Sequence, residues 1–291
     1  MQVEEEEDVL DVFESSLLST FDYVMPAEGE PGGIWTWQPP HARERRGESA
    51  ASSGDVTVRV PGYHTISDGL FAHAVWHASI LMADLLHKRE IDVASRTVLE
   101  LGCGAALPGL VAARDGAARI VVLSDYATSL DAPILKTIEE NVRRALDGHQ
   151  QSARGEGGEV VARGHIWGTD PSTLLKHALD GFDDVLLADC VWAPQGQDAL
   201  VATLCAVAKD KVHVTSGFHT GRLSVRNFLR KAQAAGFLLE SAHEVRAPSF
   251  EEQQAWVDDD SAPDEVEDRG RWVLHATLRA PTGLIDTQAV P

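Results

Sequence analysis

Two rhythms of apolar and polar residues alternate along the chain. Val98-Leu99-Glu100-Leu101 and Ile120-Val121-Val122-Leu123 are short apolar, β-branched runs, as strands buried on both faces require. Between them Leu107, Leu110 and Val111 keep helical spacing, and Gly116 marks the stop. The unit reads strand–helix–strand. Upstream, residues 56–60 alternate like a strand ending at Pro61 and Gly62. Ser67 and Asp68 then cap a helix that keeps Leu70, Phe71, Ala74, Val75, Ala78, Leu81, Met82, Leu85 and Leu86 on one face. Trp76 and Ile80 fall on its other side and need a cover. Either the N-terminal segment supplies it, or a bound ligand does.

Downstream the alternation continues. Residues 131–146 carry Leu135, Ile138, Val142 and Leu146 on one helical face, and 148–158 form a polar loop. A third strand spans 159–168, a short helix 171–179, a fourth strand 182–192 and a helix 197–208. A fifth strand follows at 211–216, then a helix at 225–235 closed by Gly236, and a sixth strand at 237–242. An acidic loop (258–268) precedes a seventh strand at 271–278. Five strand–helix alternations predict a Rossmann-like α/β fold, a doubly wound parallel sheet. No helix separates the last two strands, so these pair antiparallel.

Residues 1–54 break this pattern and read as an acidic, partly disordered N-terminal extension to a domain spanning 55–291. They hold an acidic run at 4–8, stretches rich in Pro, Gly, Arg and Ser, and a solvated basic cluster at Arg43, Arg45 and Arg46. Trp35 and Trp37 are the exceptions, since two indoles in a polar tail dock on something; packing on the domain is the simplest choice. Hydrophobic residues at 44% and charged residues at 24% suit a globular chain. The net charge of −20 argues against direct nucleic-acid binding, which needs a basic surface, and suits a basic protein partner or an uncharged small substrate. Three cysteines make no disulfide framework and fit the cytoplasm. The start is acidic, unlike a signal peptide, and no apolar run approaches membrane-span length.

The candidate chemistry sits where the strands end, because ligands of open α/β sheets bind beyond the carboxyl ends. Gly102 and Gly104 let the chain turn sharply and leave room for a ligand before a helix start. Asp125, at the tip of the next strand, is placed to accept bonds from two ribose hydroxyls. A dinucleotide fingerprint would need a third glycine where Leu107 stands. Glu100 beside the turn repels a pyrophosphate and suits a cation. S-adenosylmethionine, with a sulfonium, an ammonium and no phosphate, fits better than NAD. Trp167 offers the adenine a flat wall, and Ala188 brings backbone to the cofactor. Asp189 is placed to orient an amine, and Trp192 to hold a cation or a flat ring. His73 and His77 are four apart on the expected helix but lack a third ligand, so no metal is expected. No G-x-S-x-G elbow is present, which argues against a hydrolase.

The run from Glu100 to Gly109, Ser124-Asp125-Tyr126, Trp167-Gly168 and Ala188-Asp189-Cys190-Val191-Trp192 resemble the class I, seven-β-strand methyltransferases. The nearest branch is lysine methyltransferase family 16, in particular its fungal nicotinamide N-methyltransferase-like members, which methylate the N-terminus and an adjacent lysine of translation elongation factor 1A. The resemblance covers roughly residues 62–278. It implies a sheet order of 3-2-1-4-5-7-6 with the last strand antiparallel. It also implies S-adenosylmethionine contacts from Trp76, Gly102, Cys103, Gly104, Asp125, Trp167 and Ala188. The chain departs from it at Trp192, where Tyr or Phe is usual, in the helix around Trp76, and in its acidic tail and loop. The expectation is a cytoplasmic, monomeric N-methyltransferase acting on a protein amine. A small-molecule acceptor of nicotinamide type, or a non-catalytic scaffold for a basic partner, are the alternatives.

Overall fold

The apolar runs become the centre of one sheet. A computed structural model describes residues 26–43, 54–63, 71–129, 131–146, 158–260 and 264–282. Helix α1 (His77–His87) leads to strand β1 (Thr97–Leu101), α2 (Leu107–Arg114), β2 (Ile120–Asp125), α3 (Pro133–Leu146), β3 (Glu159–Gly164) and β4 (Phe182–Ala188). Then come α4 (Gln197–Val207), β5 (Ala208–Gly217), α5 (Arg222–Ala234), β6 (Leu238–Arg246), β7 (Gln253–Ala255) and β8 (Trp272–Arg279). The sheet order is β7-β6-β8-β5-β4-β1-β2-β3. Strands β3, β2, β1, β4 and β5 run parallel, and β8 lies antiparallel between β5 and β6. Counting the seven expected strands, with β8 as the seventh, this is the order 3-2-1-4-5-7-6. The addition is β7, antiparallel on the β6 edge. Its residues are all exposed, so no apolar alternation announces it.

Both faces of the sheet are covered, and neighbouring residues serve opposite faces. Val98, Val121 and Leu123 pack with α1, α2 and α3; Leu99, Leu101 and Val122 pack with α4 and α5. This accounts for the unbroken apolar runs in β1 and β2, since neither face meets water.

Helix α1 begins later than its periodicity predicts. Residues 75–76 are extended and pair antiparallel with residues 27–28, and the His77 N–H is donated to Pro26 O at 2.8 Å. A tertiary partner therefore claims the backbone that the apolar spacing assigns to a helix. His73 consequently stands in the turn before α1, and the four-residue pair it would form with His77 on one helix does not exist. The expected Ser67–Asp68 cap, the acidic run 4–8, Arg45, Arg46 and most of the 148–158 loop lie outside the described residues.

The described N-terminal residues pack on the domain. Residues 34–37 pair antiparallel with 56–59, and Trp37 is fully buried in the core shared with α1. Its indole Nε1 donates to Asp84 Oδ1 at 2.9 Å, and the Arg43 guanidinium takes both oxygens of the same carboxylate. Burial pushes the Asp84 carboxyl up, against the pull of Arg43 and Trp37. Ile80 is covered too. It lines a pocket of about 250 Å³ with Glu28, Trp35, His77, Pro248 and Phe250, so protein covers that side of α1. Among the described residues no helix is long and apolar enough to cross a membrane.

Candidate functional site

The turn after β1 is built from left-handed residues. Gly102 (φ 64°) and Gly104 (φ 51°) adopt this conformation without steric cost, and Ala106 (φ 63°) follows them into α2. Asp125 pins the turn to the end of β2. Its Oδ2 accepts the Gly104 N–H at 2.7 Å and its Oδ1 accepts the Tyr126 N–H at 2.7 Å, while the Cys103 N–H is donated to Ser124 O. Burial pushes the Asp125 carboxyl up although both backbone bonds favour its charge. Burial also drives the Cys103 thiol far up, with the Asp125 and Glu100 charges adding to it. The sulfur stays a protonated, inert thiol.

Glu100 lies under α2. It is buried, and its Oε2 accepts the Gly109 N–H at 2.8 Å. The side chain thus ties the helix to the sheet. Burial lifts its pKa to about 8, the Gly109 bond opposing and the Asp125 charge adding. The folded chain therefore holds a proton that the unfolded chain, near 4.5, has released. The stability from this group is complete below pH 4.5 and falls by about 1.4 kcal/mol per pH unit up to about pH 8. Glu100→Gln keeps the acceptor without the charge. It should be more stable than wild type at pH 8, with the gap closing towards pH 5. Urea unfolding at the two pH values checks this; equal stability at pH 8 refutes it.

Trp167, just past β3, lies along the glycine turn. A Cβ on Gly102 would stand 2.9 Å from Cys190 Sγ and 3.3 Å from Trp167 Cζ2. Cys190 Sγ donates to Leu101 O at 3.0 Å, and burial holds its thiol protonated as well. Ala188 ends β4, paired with Thr215 of β5. The ends of β1, β3 and β4 therefore meet around Gly102.

A second group gathers at the ends of β4 and β5. Asp189 is left-handed (φ 62°), and its N–H is donated to Thr215 O. Its carboxylate turns back over β5, where Oδ1 accepts the Gly217 N–H at 3.1 Å and Oδ2 receives His219 Nε2 at 2.7 Å. Burial works against a charged His219, but the Asp189 charge and hydrogen bond outweigh it and raise the imidazole pKa. The Trp76 ring lies 4.8 Å from the His219 ring, and its Nε1 donates to Phe71 O at 2.7 Å. Phe71 in turn meets Trp192 edge-on at 4.9 Å. Trp76, Asp189 and Trp192 are thus linked through His219 and Phe71, while Glu100 stands apart beneath α2. His219 belongs to no motif in the sequence and is not among the residues expected there. The available signal is its position two residues beyond β5, the end of the sheet at which the other candidate residues stand.

Residues 65–235 match the sequence profile of a family described as lysine methyltransferase. The chain is 29% identical over 237 residues to the protein N-terminal and lysine N-methyltransferase efm7 of Schizosaccharomyces pombe, spanning 77% of this chain and 86% of that one. It is 28% identical over 240 residues to the Neurospora crassa protein of the same name, spanning 76% and 79%. It is 37% identical over 148 residues to that of Eremothecium gossypii, spanning 50% and 52%.

Proposed function

Given that the chain belongs to the lysine methyltransferase family, we propose that it transfers a methyl group from S-adenosylmethionine to a protein amine, either a lysine side chain or an N-terminal α-amine. The observation that carries this reading is the glycine turn pinned to Asp125, with Trp167 along one side and the Asp189–His219 pair at the neighbouring strand ends. These residues fit the cofactor's chemistry. Two left-handed glycines let the turn bend sharply before α2, an indole suits an adenine face, and carboxylates rather than a phosphate-binding cation stand at the strand tips. When bound, S-adenosylmethionine supplies a methyl already activated on a sulfonium.

What falls to the chain is alignment, exclusion of water and the proton of the amine. The amine must be neutral to attack. At pH 7 that costs about 4–5 kcal/mol for a lysine and about 1 kcal/mol for an α-amine. Trp76, Phe71 and Trp192 supply apolar walls that hold an amine near the Asp189–His219 pair. The fungal relatives are named for N-terminal and lysine methylation, and this supports a protein acceptor. The net charge of −20 favours a basic one, with translation elongation factor 1A the first candidate. Three free cysteines suit a cytoplasmic setting, and we take the working form to be a monomer.

The test is incubation of the pure protein with methyl-labelled S-adenosylmethionine and a cell extract, and separately with purified elongation factor 1A. Label in protein, mapped by mass spectrometry to an N-terminus or a lysine, is the expected outcome. Label confined to small molecules would replace this reading with a nicotinamide-type acceptor. Cofactor binding with no label anywhere would leave a scaffold.

A further inference from the structure

We propose that His219, oriented by Asp189, is the base that takes the proton from the acceptor amine through its Nδ1 atom. This rests on the amine-methyltransferase reading and names the residue that performs its proton step.

The orientation follows from the bonds. A carboxylate oxygen only accepts, so the ring nitrogen 2.7 Å from Asp189 Oδ2 is the one carrying hydrogen. In the neutral ring Nδ1 is then the lone-pair atom. That atom is buried and has no hydrogen-bond partner among the described residues. A buried acceptor without a donor is costly, and an amine N–H is the donor that would satisfy it. The ring also stands in the right place, beyond the carboxyl end of β5 and against Trp76.

The neighbouring groups are poorer bases. Both Asp189 oxygens are already engaged, by the Gly217 N–H and by His219. His77, at the start of α1, is lowered by burial to about 4, with Asp189 raising it and His219 lowering it. Among the described residues, Asp189, just past β4, and His77, at the start of α1, are the titratable groups whose charges couple to His219. Asp189 favours the imidazolium, so the ring is able to keep the proton it takes.

The proton balance is simple. The ammonium N–H bond breaks, the proton goes to Nδ1, and the electron pair stays on nitrogen as the nucleophile. The imidazolium is held against the Asp189 carboxylate and returns its proton to solvent before the next turnover. Turnover therefore requires neutral His219, and its rate should rise as pH climbs through a His219 pKa lying above 6.5.

The experiment combines kinetics with NMR. In wild type, ¹⁵N shifts of His219 should report the Nε2–H tautomer, and its titration midpoint should fall in Asp189→Asn. His219→Gln should lower kcat by about 100-fold or more, a base's usual contribution. Its remaining rate should climb with the amine's own ionisation, without the His219 limb. Cofactor binding by calorimetry should stay within about twofold, the span of a near-neutral substitution. An Nδ1–H tautomer, or a His219→Gln enzyme with unchanged kcat and pH profile, overturns the proposal. If wild type labels no amine, the parent reading fails instead. The tautomer and titration are measured on the free protein and are unaffected by that outcome.

Discussion

Asp125→Ala should weaken S-adenosylmethionine binding by about 100-fold or more, since each lost bond to a charged acceptor is worth about 1.5–3 kcal/mol. Two effects combine. The carboxylate is the partner of the Gly104 and Tyr126 N–H groups, so its removal frees the left-handed turn on which the ligand would lie. It is also the acid at the tip of β2, which in the proposed reading would receive the ribose hydroxyls. The protein should still fold, because the apolar residues of β1 and β2 remain packed on both faces. Calorimetry with the cofactor and with its demethylated product measures the loss. Affinity within about fivefold of wild type, less than one such bond is worth, would remove Asp125 from the cofactor site.

Gly109→Ala should cost about 3 kcal/mol or more of folding stability, at the upper end for overpacking a core. In an open helix the same change would help by about 1 kcal/mol, because alanine is the better helix former. Here space decides the sign. The new methyl would stand 2.2 Å from Leu123 Cδ2, 2.7 Å from Glu100 Oε2 and 3.3 Å from Val121 Cγ1. All three side chains are buried, so none can swing into solvent. Moving α2 outward would also stretch the Glu100–Gly109 bond. Denaturant unfolding tests it, and adding Leu123→Ala should recover part of the loss. A Gly109→Ala protein as stable as wild type would mean that α2 sits further from the sheet than described.

The sheet was legible because its code is local. Val98 to Leu101 and Val121 to Leu123 are apolar at every position except Glu100, and only a strand covered on both faces needs that. The glycine turn was legible for the same reason, since φ values of 64° and 51° ask for glycine. What stayed hidden depends on partners far along the chain. Val75 and Trp76 belong to a helical pattern by spacing, and only pairing with residues 27–28 makes them extended. Strand β7 (Gln253–Ala255) is exposed throughout and exists because the β6 edge offers it hydrogen bonds. Glu100 reads as a neighbour of the turn, yet its side chain points to Gly109 nine residues on. His219 carries no motif, and its pairing with Asp189 across thirty residues appears only in three dimensions.

The Trp37–Arg43–Asp84 contact has a practical consequence for anyone shortening the protein. A chain begun at residue 55 would keep the acid on α1 but lose the guanidinium that neutralises it and the indole that donates to it, and strand 56–59 would lose its neighbour. Such a fragment would leave Asp84 buried without its partners beside a naked β edge, an invitation to precipitate. Trimming from the amino end should stop before Pro26.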